Sequence, residues 1–129
     1  MSSRMLSSKT ILLVENDPDV AAALLEALTE AGHGVVGPYR SAGAAEAGAA
    51  LNRLDAAIID ADHVAGDGGA AVDLAQTLIR RWGVSVILLT KAVDLAAPTT
   101  LAGVRTLVKP FSILKLLGAV EGSSKPDAA

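Results

Sequence analysis

Residues 11–17 read Ile-Leu-Leu-Val-Glu-Asn-Asp, an apolar run of four residues that stops abruptly at three polar ones. Three later apolar runs end in the same way: 56–59 before Asp60, 86–89 before Thr90 and Lys91, and 104–108 before Lys109 and Pro110. Short runs of this kind are typical of strands that are buried on both faces of a parallel sheet. Ligands of an open α/β sheet bind outside the carboxyl ends of its strands. The sequence therefore predicts a functional site at the edge where these polar residues gather.

Helical patterns separate the apolar runs. Asp17 and Pro18 predict an N-cap and a first helical residue, and Ser41 and Ser112 begin two further helices. The residues predicted to face inward are Val20, Leu24 and Leu28 in the first helix, Ala44, Ala47 and Leu51 in the second, Val72, Ala75, Leu78 and Ile79 in the third, and Ile113, Leu116, Leu117 and Val120 in the last. A short second strand is expected at Val35 and Val36, and a short helix at about 92–97. Alternating strands and helices predict an α/β domain, a doubly wound five-stranded parallel sheet with helices on both faces.

Length and composition favour one small domain. The chain has 129 residues, 51% of them hydrophobic, and one each of Trp, Tyr and Phe, so alanine and branched aliphatic side chains must fill the core. A net charge of −3 argues against a nucleic-acid interface, and zero cysteines exclude disulfides and thiolate metal sites. We expect neither a signal peptide nor a membrane helix, and this expectation fits a cytoplasmic protein. We also expect no separate output domain.

Four polar positions in this order resemble the response-regulator receiver domain, the CheY-like phospho-accepting module of two-component signalling. Glu15 and Asn16 match the family's acidic pair, Asp60 its phosphoacceptor, Thr90 its hydroxyl residue, and Lys109-Pro110-Phe111 its conserved tripeptide. The resemblance covers residues 10–121, with flexible tails at 1–9 and 122–129. It implies a flavodoxin-like fold with strand order 2-1-3-4-5, and it implies that the Lys109-Pro110 bond is cis.

The resemblance assigns a role to each matching residue. Asp60 would be the nucleophile, Thr90 would donate a hydrogen bond to the phosphoryl group, and Lys109 would pair with it as a point charge. Mg²⁺ would be held by Glu15, Asn16, Asp60 and the backbone carbonyl of Asp62. Because Asn16 replaces a carboxylate with an amide, we expect the ion to bind weakly.

Other departures from the family pattern indicate an atypical receiver. Lys91 follows Thr90 where the family commonly has a small residue, and Thr106 stands where many receivers have an aromatic residue. The usual proline soon after Asp62 is replaced by a loop, 63–67, whose His63 is more typical of a solvated surface residue than of a metal ligand. These departures predict a retained phosphorylation site with an altered output surface.

The sequence is compatible to different degrees with three functions. The preferred one is a single-domain response regulator, not an enzyme, that accepts a phosphoryl group on Asp60 from a histidine kinase or phosphotransfer protein and signals to an unknown downstream protein. The alternative is a pseudo-receiver that binds a partner without phosphorylation, which Asn16 favours. A flavin-binding domain is disfavoured because the acidic segment after the first strand would repel phosphate.

Overall fold

The computed structural model describes residues 8–62, 68–91 and 103–122. The strands are β1 (Thr10–Val14), β2 (Gly34–Tyr39), β3 (Ala56–Asp60), β4 (Ser85–Thr90) and β5 (Val104–Val108). The helices in this part of the chain are α1 (Pro18–Glu30), α2 (Ala42–Leu51), α3 (Gly68–Trp82) and α4 (Ile113–Glu121). The predicted loop 63–67 and the predicted helix at 92–97 lie outside the described residues.

All five strands are parallel, in the order β2-β1-β3-β4-β5. This confirms the predicted fold class and strand order. The fully buried strand β1 shows why the apolar runs do not alternate with polar residues. Leu12 and Val14 pack in the core layer beneath α2 and α3, whereas Ile11 and Leu13 pack in the layer beneath α1 and α4. Both faces of the sheet are therefore covered by helices.

The predicted helix caps are confirmed. Asp17 accepts hydrogen bonds from the backbone N–H groups of Asp19 and Val20 at 2.9 and 3.2 Å, and Pro18 begins α1. Ser112 accepts from the N–H of Lys115 at 3.0 Å, and Ser41 caps α2 in the same way. These bonds satisfy donors that a helix start leaves without intrahelical partners.

The predicted inward face of α2 is wrong. Its buried residues are Ala45, Gly48 and Ala49, whereas Leu51 is 84% exposed. An alanine-rich helix has few polar residues to mark its outer face, so its sequence hardly distinguishes one side from another. The contact that sets the rotation is tertiary, because the Tyr39 ring lies directly against Gly48.

Smaller corrections apply elsewhere. Ile113 is 44% exposed, although Leu116 and Val120 are buried as predicted. Strand β2 continues past Val36 through a cis Gly37-Pro38 bond to Tyr39, and the β1–β2 pairing shifts register between Leu12 and Val14. Gly37 has a φ of +110°, a conformation that a side chain would strain. The longer β2 carries its last residues to the carboxyl edge of β1.

The Lys109-Pro110 bond is cis, as the resemblance implied. Within the part of the chain that the structure describes, no helix has the length and apolar character needed to cross a membrane.

Candidate functional site

The predicted polar residues meet at one edge of the sheet. Glu15 follows β1, Asp60 and Thr90 are the last residues of β3 and β4, and Lys109 follows β5. Glu15, Asp60 and Thr90 are buried, although each has a polar side chain. Buried polar groups are stable only with partners of complementary charge or hydrogen bonding, so the contacts among them define the site.

Asp60 is held by Lys109. The Lys109 Nζ lies 2.8 Å from both carboxylate oxygens of Asp60, and the backbone N–H of Asp62 donates to Asp60 Oδ1 at 3.0 Å. Burial alone would lower the pKa of Lys109, but its hydrogen bonds to Asp60 and Asp62 raise that pKa above the ordinary value. The lysine therefore stays charged and balances the negative charge of the buried carboxylate.

Glu15 lies buried beside Asp60 and has a raised pKa. Its side chain is 1% exposed, and its Oε2 accepts a hydrogen bond from the backbone N–H of Asp17 at 3.0 Å. Burial, together with a hydrogen bond to the Asp60 carboxyl group, raises the pKa of Glu15 to about 8. The Glu15–Asp60 pair therefore carries one proton at neutral pH, because two adjacent buried carboxylates cannot both ionise cheaply.

Asp62 connects the ends of three strands. Its Oδ1 accepts from the Thr90 hydroxyl at 3.1 Å, and its Oδ2 accepts from the Lys91 N–H at 2.9 Å and lies 3.1 Å from Lys109 Nζ. Burial would raise the pKa of Asp62, but these hydrogen bonds and the charge of Lys109 lower it overall. The resemblance implied a metal-binding carbonyl for Asp62 and a side chain placed to tune the access of water, whereas the contacts of its carboxylate with Thr90, Lys91 and Lys109 were not predicted.

Asn16 is engaged by an arginine that the sequence analysis did not single out. Arg40 Nε donates to Asn16 Oδ1 at 3.0 Å. The longer β2 explains this contact: the Glu15 N–H donates to the Tyr39 carbonyl at 2.8 Å, which places the next residue, Arg40, beside the loop after β1. The oxygen expected to bind Mg²⁺ therefore has a cationic partner.

A pocket opens beside Asp60, between α1 and the segment after β5. It is lined by Val20, Leu24, Asp60, Leu89, Lys91, Lys109, Pro110 and Phe111. Apolar side chains form most of this wall, and two lysines supply positive charge next to the buried carboxylate.

The residues at this edge fit a weakly held Mg²⁺. Mg²⁺ is commonly bound by one or two carboxylates and several waters. Asp60 supplies one carboxylate, Glu15 supplies a second once the proton of the pair is lost, and Asn16 supplies an amide oxygen if Arg40 releases it. No group of three or more acidic, histidine or cysteine side chains suited to a metal ion occurs among the described residues, so most of the remaining ligands would have to be water.

Solved structures with the same fold are numerous, although no family model and no curated protein matches the sequence. The receiver domain of the response regulator PhyR from Erythrobacter litoralis is 18% identical, with a TM-score of 0.76 over 95% of this chain and 98% of that one. PhyR from Brucella abortus is also 18% identical, with a TM-score of 0.78 over 92% of this chain, which spans 48% of the Brucella protein. A receiver domain from Bacillus halodurans is 22% identical, with a TM-score of 0.72 over 89% of this chain and 96% of that one.

The chain therefore has the fold of a response-regulator receiver domain. The same structure places the side chains of Glu15, Asp60, Asp62, Thr90 and Lys109 at the edge where that resemblance predicted a site.

Proposed function

We propose that this chain is a receiver module that accepts a phosphoryl group on Asp60 from a histidine kinase or a histidine phosphotransfer protein. The observation that carries the proposal is the fully buried Asp60 carboxylate, bound through both oxygens by Lys109 at the carboxyl edge of β3. A buried aspartate that is paired with a lysine and lines a pocket is poorly explained as a turn former or a helix cap.

The transfer is a displacement at phosphorus. An oxygen of Asp60 attacks the phosphorus of a phosphohistidine, the O–P bond forms, and the electron pair of the breaking P–N bond returns to the imidazole. Lys109 offsets the negative charge that accumulates where two anions meet, and Thr90 supplies a hydroxyl donor at the same edge. A bound Mg²⁺ would neutralise further charge on the phosphoryl oxygens. The acyl phosphate then acts as a signal, so the chain is a signalling domain and not an enzyme with a separate substrate.

The proposed setting is the cytoplasm, with protein partners on both sides of the relay. A sensor kinase or phosphotransfer protein would supply the phosphoryl group, and a downstream protein would recognise the phosphorylated form. Nucleic acid and membrane are not proposed as partners, since the net charge is −3 and no basic stripe is present in the sequence.

A pseudo-receiver is the second candidate, and one observation favours it. Asn16 lacks the charge of the family's metal-binding carboxylate, and its amide oxygen is bound to Arg40. A site that held no divalent cation would accept phosphoryl groups poorly, and the domain would then act only by binding a partner.

Intact-mass measurement separates the two candidates. The protein is incubated with acetyl phosphate and Mg²⁺, and Asp60→Asn and Asp73→Asn are treated in parallel; Asp73 is an exposed residue of α3 and serves as the matched control. We expect one phosphoryl adduct on the wild type and on Asp73→Asn, and none on Asp60→Asn. A wild type that stays unmodified with both acetyl phosphate and a phosphorylated kinase would favour the pseudo-receiver.

A further inference from the structure

The hydrogen-bond donors beside Asp60 are already bound to a carboxylate of the chain itself. Three donors converge on the Asp62 side chain: the Thr90 hydroxyl at 3.1 Å, the Lys91 N–H at 2.9 Å and Lys109 Nζ at 3.1 Å. They come from the end of β4, the residue after it and the residue after β5. A hydroxyl, a backbone N–H and an ammonium group around one pair of oxygens form an anion-binding arrangement.

The position of Asp62 places that arrangement next to the nucleophile. The Asp62 N–H donates to Asp60 Oδ1 at 3.0 Å, and Lys109 Nζ contacts both carboxylates. A phosphoryl group attached to Asp60 presents its oxygens one bond beyond the carboxylate and needs the same lysine and hydroxyl to offset its charge. Asp62 and the phosphoryl group therefore require the same donors.

We propose that the Asp62 carboxylate is an internal competitor of the phosphoryl group, occupying its donors in the unmodified protein and leaving them when Asp60 is phosphorylated. The inference rests on the proposed function and specifies how that site is regulated. Asp60 is fully buried, whereas the Asp62 side chain is 21% exposed and can turn into water. Repulsion between the phosphoryl charge and the carboxylate favours that departure.

Departure of Asp62 would also break a connection between two strand ends. Its bond to the Lys91 N–H joins the segment after β3 to the residue after β4. Phosphorylation would release this bond and give the Lys91 N–H to a phosphoryl oxygen. The conformational response then begins at Lys91 and does not need a bulky side chain at Thr106.

The first test measures anion binding where no phosphoryl transfer can occur. Inorganic phosphate is titrated into Asp60→Asn, into Asp60→Asn with Asp62→Ala, and into Asp60→Asn with Asp73→Ala as the control, and binding is followed by amide NMR shifts. Removing a charged competitor should tighten phosphate binding about tenfold. The largest shifts should occur at Thr90 and Lys91, and the control should match Asp60→Asn. Equal or weaker binding after Asp62→Ala would overturn the proposal.

The second test uses the intact nucleophile. Adduct formation with acetyl phosphate should be about tenfold faster in Asp62→Ala than in the wild type, with Asp62→Asn between them, since the amide keeps one acceptor oxygen but loses the charge. An unchanged or slower rate would contradict the competitor role. If no protein formed an adduct, the proposed function would fail, while the phosphate titration in the Asp60→Asn background would still decide the role of Asp62.

Discussion

The buried Glu15 carboxyl group should make folding stability depend on pH near neutrality. Its pKa is raised from 4.5 to about 8 in the folded protein, so the folded state holds a proton that the unfolded state releases. The contribution of this proton to the free energy of unfolding is fully present below pH 4.5 and is lost as the pH rises towards about 8. The maximum slope is about 1.4 kcal/mol per pH unit, so the wild type should lose about 2 kcal/mol between pH 6 and pH 8.

Glu15→Gln removes the titration and keeps an oxygen that can accept the Asp17 N–H. Urea unfolding at pH 6, 7 and 8 in the presence of EDTA should show the decline in the wild type and in the control Glu26→Gln, an exposed site on α1, but not in Glu15→Gln. The shifted pKa values of Asp62 and Lys109 do not affect this comparison. The lowered pKa of Asp62 changes stability only in acid, and the raised pKa of Lys109 changes it only in alkali. Parallel pH curves for wild type and Glu15→Gln would refute the assignment of a shared proton.

Two further perturbations test the metal site and the packing of α2. In calorimetric titration at low ionic strength, Asn16→Asp should tighten Mg²⁺ binding about tenfold. Adding Arg40→Gln should tighten it further, because Arg40 would otherwise pair with the new carboxylate. Equal affinity of the single and double variants would show that Arg40 does not influence the cation. Gly48→Ala should cost about 1–3 kcal/mol in urea unfolding, since its methyl group would overlap the Tyr39 ring, whereas Gly43→Ala, which meets open space, should be neutral or stabilising. Unfolding midpoints that match for the two glycine variants would contradict the packing.

The sheet and the members of the site could be predicted because they depend on local patterns. An apolar run that stops at a polar residue marks the carboxyl end of a buried strand, and parallel strands bring those ends to one edge. That rule is enough to place Asp60, Thr90 and Lys109 at the site. Asp17 and Ser112 could be identified as caps because capping needs only a short polar side chain at a helix start.

The remaining features depend on contacts between distant residues. Arg40 reaches Asn16 only because β2 shifts its register against β1 and continues past Pro38. The raised pKa of Glu15 comes from burial, which the neighbouring residues in sequence do not reveal. Asp62 could be placed near the site, but its carboxylate is positioned by three donors at the carboxyl ends of β4 and β5, which are distant in sequence.

Identification of the modified residue tests the central claim most directly. After treatment with acetyl phosphate and Mg²⁺, borohydride reduces an aspartyl phosphate to homoserine, and trypsin releases the peptide 54–80, which contains several aspartates. We predict homoserine at residue 60 and unmodified aspartate at the other four aspartates of the peptide, Asp55, Asp62, Asp67 and Asp73. Homoserine at any of those four positions, with Asp60 intact, would contradict the proposed function.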